Sequence, residues 1–254
     1  MNVSVNASIQ TYGTGSTGII SHSTTDPIIT IVPGVSGTGG PGGSALRLDS
    51  PVNQITNAGH LTTRDGAAGQ TVRTLSGDTT FTNKGVLTGS VTLAQGGANT
   101  LRNLAEGTID AGTSLDLGGG TPHNAGLLGN GGALGKTVIT GSLIQSDTAS
   151  LRIRLDQKTG AADSFAVTGT GKLAGQLRPT ILDLTTIKPG TVVRTILTAA
   201  ETLDVSGLRI GSSAILGHVL GARDGKLSFA TTIDFAPQAL SRSGRVIGQV
   251  IANA

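Results

Sequence analysis

The sequence predicts an all-β chain: a right-handed parallel β-helix (solenoid) with a C-terminal β capping region and a short C-terminal helix. Three observations carry this. Of 254 residues, 40 are Gly, 2% are aromatic and none is Trp. A core must then be built from thin layers of small aliphatic side chains between closely spaced turns, which suits coils that touch only their neighbours. Second, a phrase of apolar residues around Asn and Gly returns with a period of about 20 to 26 residues, a length typical of repeat architectures. Third, apolar and polar residues alternate from 143 to 177 as they do in half-buried strands. Helix is disfavoured over most of the chain because Gly and the β-branched residues both weaken it. Disorder is opposed by a charged fraction of only 13% and by regularly recurring apolar pairs.

In chain order, residues 2–31 alternate weakly (Val3, Val5, Ala7, Ile9, then Ile19-Ile20 and Ile28-Ile29-Thr-Ile31) and read as short strands with Gly and Thr turns between them. Residues 33–43 are the richest in Pro and Gly, which predicts a surface loop. From 55 to about 141 the repeats run Ile55-Thr-Asn57-Ala-Gly59-His-Leu61, Phe81-Thr-Asn83-Lys-Gly85-Val-Leu87, Leu101-Arg-Asn103 with Gly107-Thr-Ile109, and His123-Asn124-Ala-Gly126-Leu-Leu128. Asn and Gly tolerate left-handed backbone, so they are expected at tight corners with the apolar residues pointing inward. Asn57, Asn83 and Asn103 are further expected to bond to one another from coil to coil. Ser90-Val-Thr-Leu93 and Ser114-Leu-Asp-Leu117 add a second strand per coil.

Farther along, Leu151, Ile153 and Leu155 form a strand, the polar turn 156–163 is expected to reverse it, and Phe165 and Val167 resume the alternation. Longer strands follow at Thr191-Val-Val-Arg-Thr-Ile-Leu197 and Leu227-Ser-Phe229, with turns at Lys188-Pro-Gly190 and Arg223-Asp-Gly225. Beyond Phe235 the period changes. Leu240, Ile247 and Ile251 fall at helical spacing with Pro237 near the start, although Gly244 and Gly248 weaken the helix.

The string Asp163-Ser-Phe165-Ala-Val167-Thr-Gly169, followed by Leu173-Ala-Gly175-Gln-Leu177, resembles the conserved-region signature of autotransporter (type V secretion) passengers, which runs Asp, apolar, apolar, Gly, then Leu-x-Gly-x-Leu. Ile9-Gln-Thr-Tyr-Gly13-Thr-Gly15-Ser-Thr-Gly18-Ile-Ile20 resembles an element repeated in large passenger solenoids, with its Gly run displaced to 37–43. The resemblance implies solenoid repeats over 1–142, an autochaperone-like β cap over 143–235 that starts folding at the cell surface, and a linker helix over 236–254. That helix would lead towards an outer-membrane barrel absent from this chain, since no ten-residue alternating strands with aromatic girdles follow it. It also implies an extracellular or cell-surface location after export through the periplasm. The opening MNVSVNASIQ has neither a basic start nor a signal-length apolar run, so an exported chain is expected to be part of a longer one.

Chemistry is sparse. The net charge is +3, and Arg64, Arg73, Arg102, Arg152, Arg154, Arg178, Arg194 and Arg209 are scattered singly without aromatics for base stacking, so no nucleic-acid partner is expected. The absence of Cys excludes disulfides and thiol chemistry. Gly13-Thr-Gly15-Ser-Thr-Gly18 and Gly37-Thr-Gly39-Gly-Pro-Gly42 match G-x-G-x-x-G but lack the helix a dinucleotide requires. Asn130-Gly-Gly-Ala-Leu-Gly135-Lys136-Thr137 nearly makes a P-loop, yet a strand follows it, so it reads as a coil corner. His22, His60, His123 and His218 have no i,i+4 partners or neighbouring carboxylates in sequence and read as solvated corner residues. Asp110 and Asp116, with Arg102, are the best pair for a carbohydrate-cleaving rival.

No catalytic, cofactor-binding or metal-binding residue is assigned, and no cofactor is expected. The expected role is a non-enzymatic surface stalk, part of an adhesin, with a host or cell-surface glycan or protein as partner. A β-helix carbohydrate-active enzyme, a phage-spike-like glycan binder and a self-assembling extracellular fibre are the alternatives. Membrane contact is expected only through the absent barrel.

Overall fold

The computed structural model describes residues 2–183, 189–212, 216–238 and 240–252. It is all-β, a single long sheet of mostly parallel strands with one short helix, Arg242–Ala252. The strands fall into three parallel columns. In the first, Asn2–Val5, Ile28–Ile31, Val52–Asn57, Asp78–Asn83, Thr100–Asn103, Thr121–Asn124 and Leu143–Gln145 pair in succession and meet the start of Gly171–Ile181. The second runs through Ile9–Gln10, Ser36–Gly39, His60–Thr63, the first halves of Val86–Thr92 and Thr108–Asp116, Leu127–Asn130, Ser150–Leu155 and the second half of Gly171–Ile181. The third holds Ile19–His22, Leu46–Asp49, Gln70–Thr74, the second halves of the same two long strands, Lys136–Thr140, Ser164–Val167 and Gly190–Ala199. The chain visits the three in order and returns one rung further on.

Alternation decides which side chains meet. Ile55, Phe81 and Leu101 stack in register in the first column. Leu61, Leu87, Ile109, Leu128, Leu151 and Leu177 do so in the second. Val72, Val91, Leu115, Ile139 and Val167 do so in the third. All are buried in one contiguous core. Each such side chain contributes roughly 1.5–3 kcal/mol by leaving water, which is how a chain poor in aromatics is held together. Ser90-Val-Thr-Leu93 and Ser114-Leu-Asp-Leu117 supply the third column, as expected for a further strand per coil.

Four local expectations need correction. Asn57, Asn83 and Asn103 end strands and are fully or almost fully buried, and Asp224 is the one non-glycine residue with left-handed φ among the described residues. They are therefore not corner residues in left-handed backbone. Nor do Gly59, Gly85, Gly107 and Gly126 have positive φ; their role is close approach. A Cβ at Gly85 would fall on the Gly59 carbonyl oxygen, and one at Gly126 on that of Gly107, so the backbone packs where any side chain would intrude. The stretch 33–43 is not all loop, because Ser36–Gly39 pairs in parallel with His60–Thr63. Finally, the turn 156–163 carries the chain onward from the second column to the third instead of folding it back. A single antiparallel backbone bridge, Leu155 with Ala162, joins its two sides.

Parallel pairing continues across residue 142 as far as Leu203–Ile210, which pairs with Gly171–Ile181. Antiparallel pairing begins with Gly190–Ala199, which meets Lys226–Ile233, and that strand in turn meets Leu216–Arg223. The hairpin expected at Arg223-Asp-Gly225 is present: Asp224 (φ 50°) and Gly225 (φ 69°) form the two-residue loop, the backbone a type I′ turn requires. The turn expected at Lys188-Pro-Gly190 lies partly outside the described residues. The helix begins after Ser241, whose Oγ accepts the Gly244 N–H at 3.1 Å, and it leaves Val246, Ile247 and Val250 exposed. Leu240 lies just outside it.

His218 sits on the inner side of the antiparallel sheet, its ring 5.9 Å from that of Phe229 and its Nδ1 3.3 Å from Thr231 Oγ1. Burial holds its pKa below the ordinary 6.5. The neutral ring is thus favoured by folding. Its stabilisation is complete above 6.5 and is lost as pH falls through the lowered folded value. Urea midpoints followed from neutral to acid pH should fall less steeply in His218→Leu than in the parent; equal slopes would show that His218 does not matter.

Candidate functional site

Polar side chains converge at two places in the stacked columns. The first is a row of carboxamides inside the core. Asn57 Nδ2 donates to Asn83 Oδ1 at 2.8 Å, Asn83 Nδ2 to Asn103 Oδ1 at 2.7 Å, and Asn103 Nδ2 to Asn124 Oδ1 at 2.7 Å. Asn124 Nδ2 then donates to Gln145 Oε1 at 3.2 Å, and Gln145 Nε2 to the Ala174 carbonyl at 2.6 Å. Remaining donor capacity goes to the backbone carbonyls of Val86, Thr108 and Leu127. At the other end the Gly59 N–H donates to Asn57 Oδ1 at 3.2 Å. The row is possible because the strands are in register, so that equivalent residues lie one strand spacing apart, about 4.8 Å. The coil-to-coil bonding expected of Asn57, Asn83 and Asn103 is therefore present, although in the core and not along an exposed corner.

The second place is a pair of arginines on Ser150–Leu155. Arg154 reaches Asp163 through Nε at 2.7 Å and Nη2 at 3.0 Å, and Asp163 is completely buried. The carboxylate also accepts the backbone N–H groups of Arg154 at 3.1 Å and Gly135 at 3.3 Å. The hydrogen bonds that Arg154 donates to Asp163 hold its pKa above the ordinary value, against the opposing effect of burial. The same guanidinium donates to the carbonyls of Gly132 at 2.6 Å and Ala133 at 3.1 Å. The near-P-loop string thus curls its carbonyl oxygens around a cation, whereas a phosphate loop must turn N–H groups towards an anion. It is a corner, as expected, and Arg154 is what holds it.

Arg152, two residues earlier, bonds Asp110 Oδ1 at 2.5 Å and the Asn130 carbonyl at 3.2 Å. That disperses the carboxylate pair considered for glycan cleavage. Asp110 lies in the second column under Arg152, Asp116 in the third where it receives Gln95, and Arg102 in the first beside His123.

The histidines also need correction, because all four lie on strands and not at corners. His22 has a carboxylate neighbour after all, Asp49 at 3.1 Å one coil on. The Asp49 pKa is lowered first by its bond from Ser76 and further by His22, against desolvation. Among the described residues no three His, Asp or Glu side chains are grouped to hold a metal ion.

Sequence reading missed Asp163, Arg154 and Arg152 as a working unit. The only signal was the polar Asp at the head of an apolar strand. No family model matches this chain, and no curated protein matches it.

Proposed function

We propose that the chain is the C-terminal part of a type V passenger, in which a right-handed parallel β-solenoid serves as a stiff surface stalk and the last coils act as a cap that promotes folding. The observation that carries this reading is the change in pairing. Three parallel columns run from Asn2–Val5 to Leu203–Ile210, and the third ends in an antiparallel sheet formed by Gly190–Ala199, Lys226–Ile233 and Leu216–Arg223. A stack of coils needs cover only at its ends, because every other edge is paired. The right hand follows from the strong preference of parallel crossovers. Export, surface display and adhesion rest on the passenger-like string at 163–177, and Arg242–Ala252 takes the place of a linker helix.

The reading implies that folding starts at the C-terminal end. Val167 and Leu173, both buried, are the test positions. Val167→Asp with Leu173→Asp should remove backbone hydrogen-exchange protection throughout, including at the distant Asn57 and Asn83. A matched lesion in an early coil, Ile29→Asp, should leave 124–177 protected. Refolding and protection that survive the first pair of changes would contradict a templating cap.

A further inference from the structure

The outward faces of the three columns differ. On the second and third, several polar side chains bond one another between coils: His60 with Thr88 at 3.2 Å, Arg152 with Asp110 at 2.5 Å, and Thr92 with Gln70 at 3.3 Å. The first column does not do this. Two rows project from it in register, one of Thr30, Thr56, Thr82, Arg102 and His123, the other of Gln54, Thr80, Thr100 and Thr121. Among the described residues none of these side chains has a hydrogen-bond or ion-pair partner in the chain. Neighbours within a row stand about 4.8 Å apart, and the two rows roughly 6.6 Å apart.

The first row ends in a groove of about 270 Å³. Arg102, His123 and Ile144 line it from three successive strands, and Leu104, Ala125 and Ser146 line it from the corners that follow them. Arg102 and His123 are exposed, Ile144 is 38% exposed, and the next position in register after Ile144 is the exposed Lys172. The groove therefore joins hydrocarbon to unpartnered donors, and it runs along the stack because each coil repeats the same two positions. No aromatic side chain projects among the two rows, so a nucleobase has nothing to stack on.

We propose that the outward face of the first column binds a linear acidic polysaccharide lying along the stack, anchored in the groove at Arg102 and His123. A sugar ring has hydroxyls at its edge and C–H groups on its faces. The threonine hydroxyls can donate to the former or accept from them, and Leu104, Ala125 and Ile144 pack against the latter. A carboxylate on the sugar accepts from the Arg102 guanidinium in a charge-assisted bond and supplies the counter-charge that the chain itself does not. The proposal gives adhesion a surface and a ligand class. Its failure would leave the folding role of the C-terminal cap untouched, since that role is read from refolding and hydrogen exchange and needs no ligand.

Fluorescently labelled oligogalacturonate, followed by anisotropy, tests it. The folded protein should bind this probe saturably, and should bind the fully methyl-esterified probe, which has the same sugars without the charge, much more weakly. Labelled oligothymidylate, a polyanion without sugar hydroxyls to match the threonines, should also bind more weakly. Arg102→Gln should weaken oligogalacturonate binding at least about tenfold, the loss of one hydrogen bond to a charged group. Ile144→Glu places a carboxylate in the groove at an exposed strand position and should abolish binding. Arg73→Gln removes an exposed cation from the third column and should change nothing, which separates this face from general attraction to a protein of net charge +3. No binding of oligogalacturonate, equal binding of the esterified probe or of oligothymidylate, unchanged affinity in Arg102→Gln or Ile144→Glu, or an equal loss in Arg73→Gln would each overturn the proposal.

Discussion

Asn83→Ala is expected to destabilise the chain by roughly 3–5 kcal/mol, because each buried polar group left without a partner costs about 1–3 kcal/mol and this change strands several. Asn103 Oδ1 loses its donor, Asn57 Nδ2 loses one of its two acceptors, and the Gly85 and Thr108 carbonyls lose an N–H at 3.1 Å. The side chain is 0% exposed, so water cannot step in without opening the columns. Urea unfolding measures the effect. Thr82→Ala, one residue earlier and facing outward, is the control and should change stability by no more than about 0.5 kcal/mol. A cost at Asn83 as small as the control's would mean that the carboxamide row holds nothing together.

Asp163→Ala is the second large expected loss, about 3–5 kcal/mol, the usual consequence of removing one member of a buried ion pair. Its four hydrogen bonds come from Arg154 Nε, Arg154 Nη2 and two backbone N–H groups. Without it the guanidinium faces only carbonyl oxygens, and the corner after Leu127–Asn130 loses its anchor at Gly135. Faster hydrogen exchange at the Gly135 amide should accompany the loss of stability. Asp163→Asn retains the shape but not the charge and should cost less than Asp163→Ala. If Asp163→Ala costs under about 1 kcal/mol, or leaves Gly135 as protected as before, the clamp is not structural.

The columns were legible because a period of two in side-chain direction leaves its mark in every strand, as at Leu151, Ile153 and Leu155, and because Asn and Gly recur at nearly constant spacing. The role of those residues was harder to read. An Asn in a Gly-rich phrase suits a left-handed corner equally well, and only the register between successive coils turns it into a buried row. The Arg154–Asp163 unit was hidden for a related reason, since its other partners, the carbonyls of Gly132 and Ala133, carry no side-chain signal. Asp110 and Arg152 stand 42 residues apart, and a stack must be assembled before such a pair is visible. The strand Ser36–Gly39 was obscured by composition, because glycine there serves the tight passage beneath Leu61.

The carboxamide row has a heading. From the Gly59 N–H to the Ala174 carbonyl, every amide hands its hydrogen in the same direction, and the in-register positions beyond, Ile31 at one end and Leu173 at the other, are hydrocarbon. A whole coil duplicated between those two stops is therefore compatible with the row only if it brings an amide of its own. A coil bearing leucine there would split the relay into two, leaving one hydrogen and one oxygen facing oil.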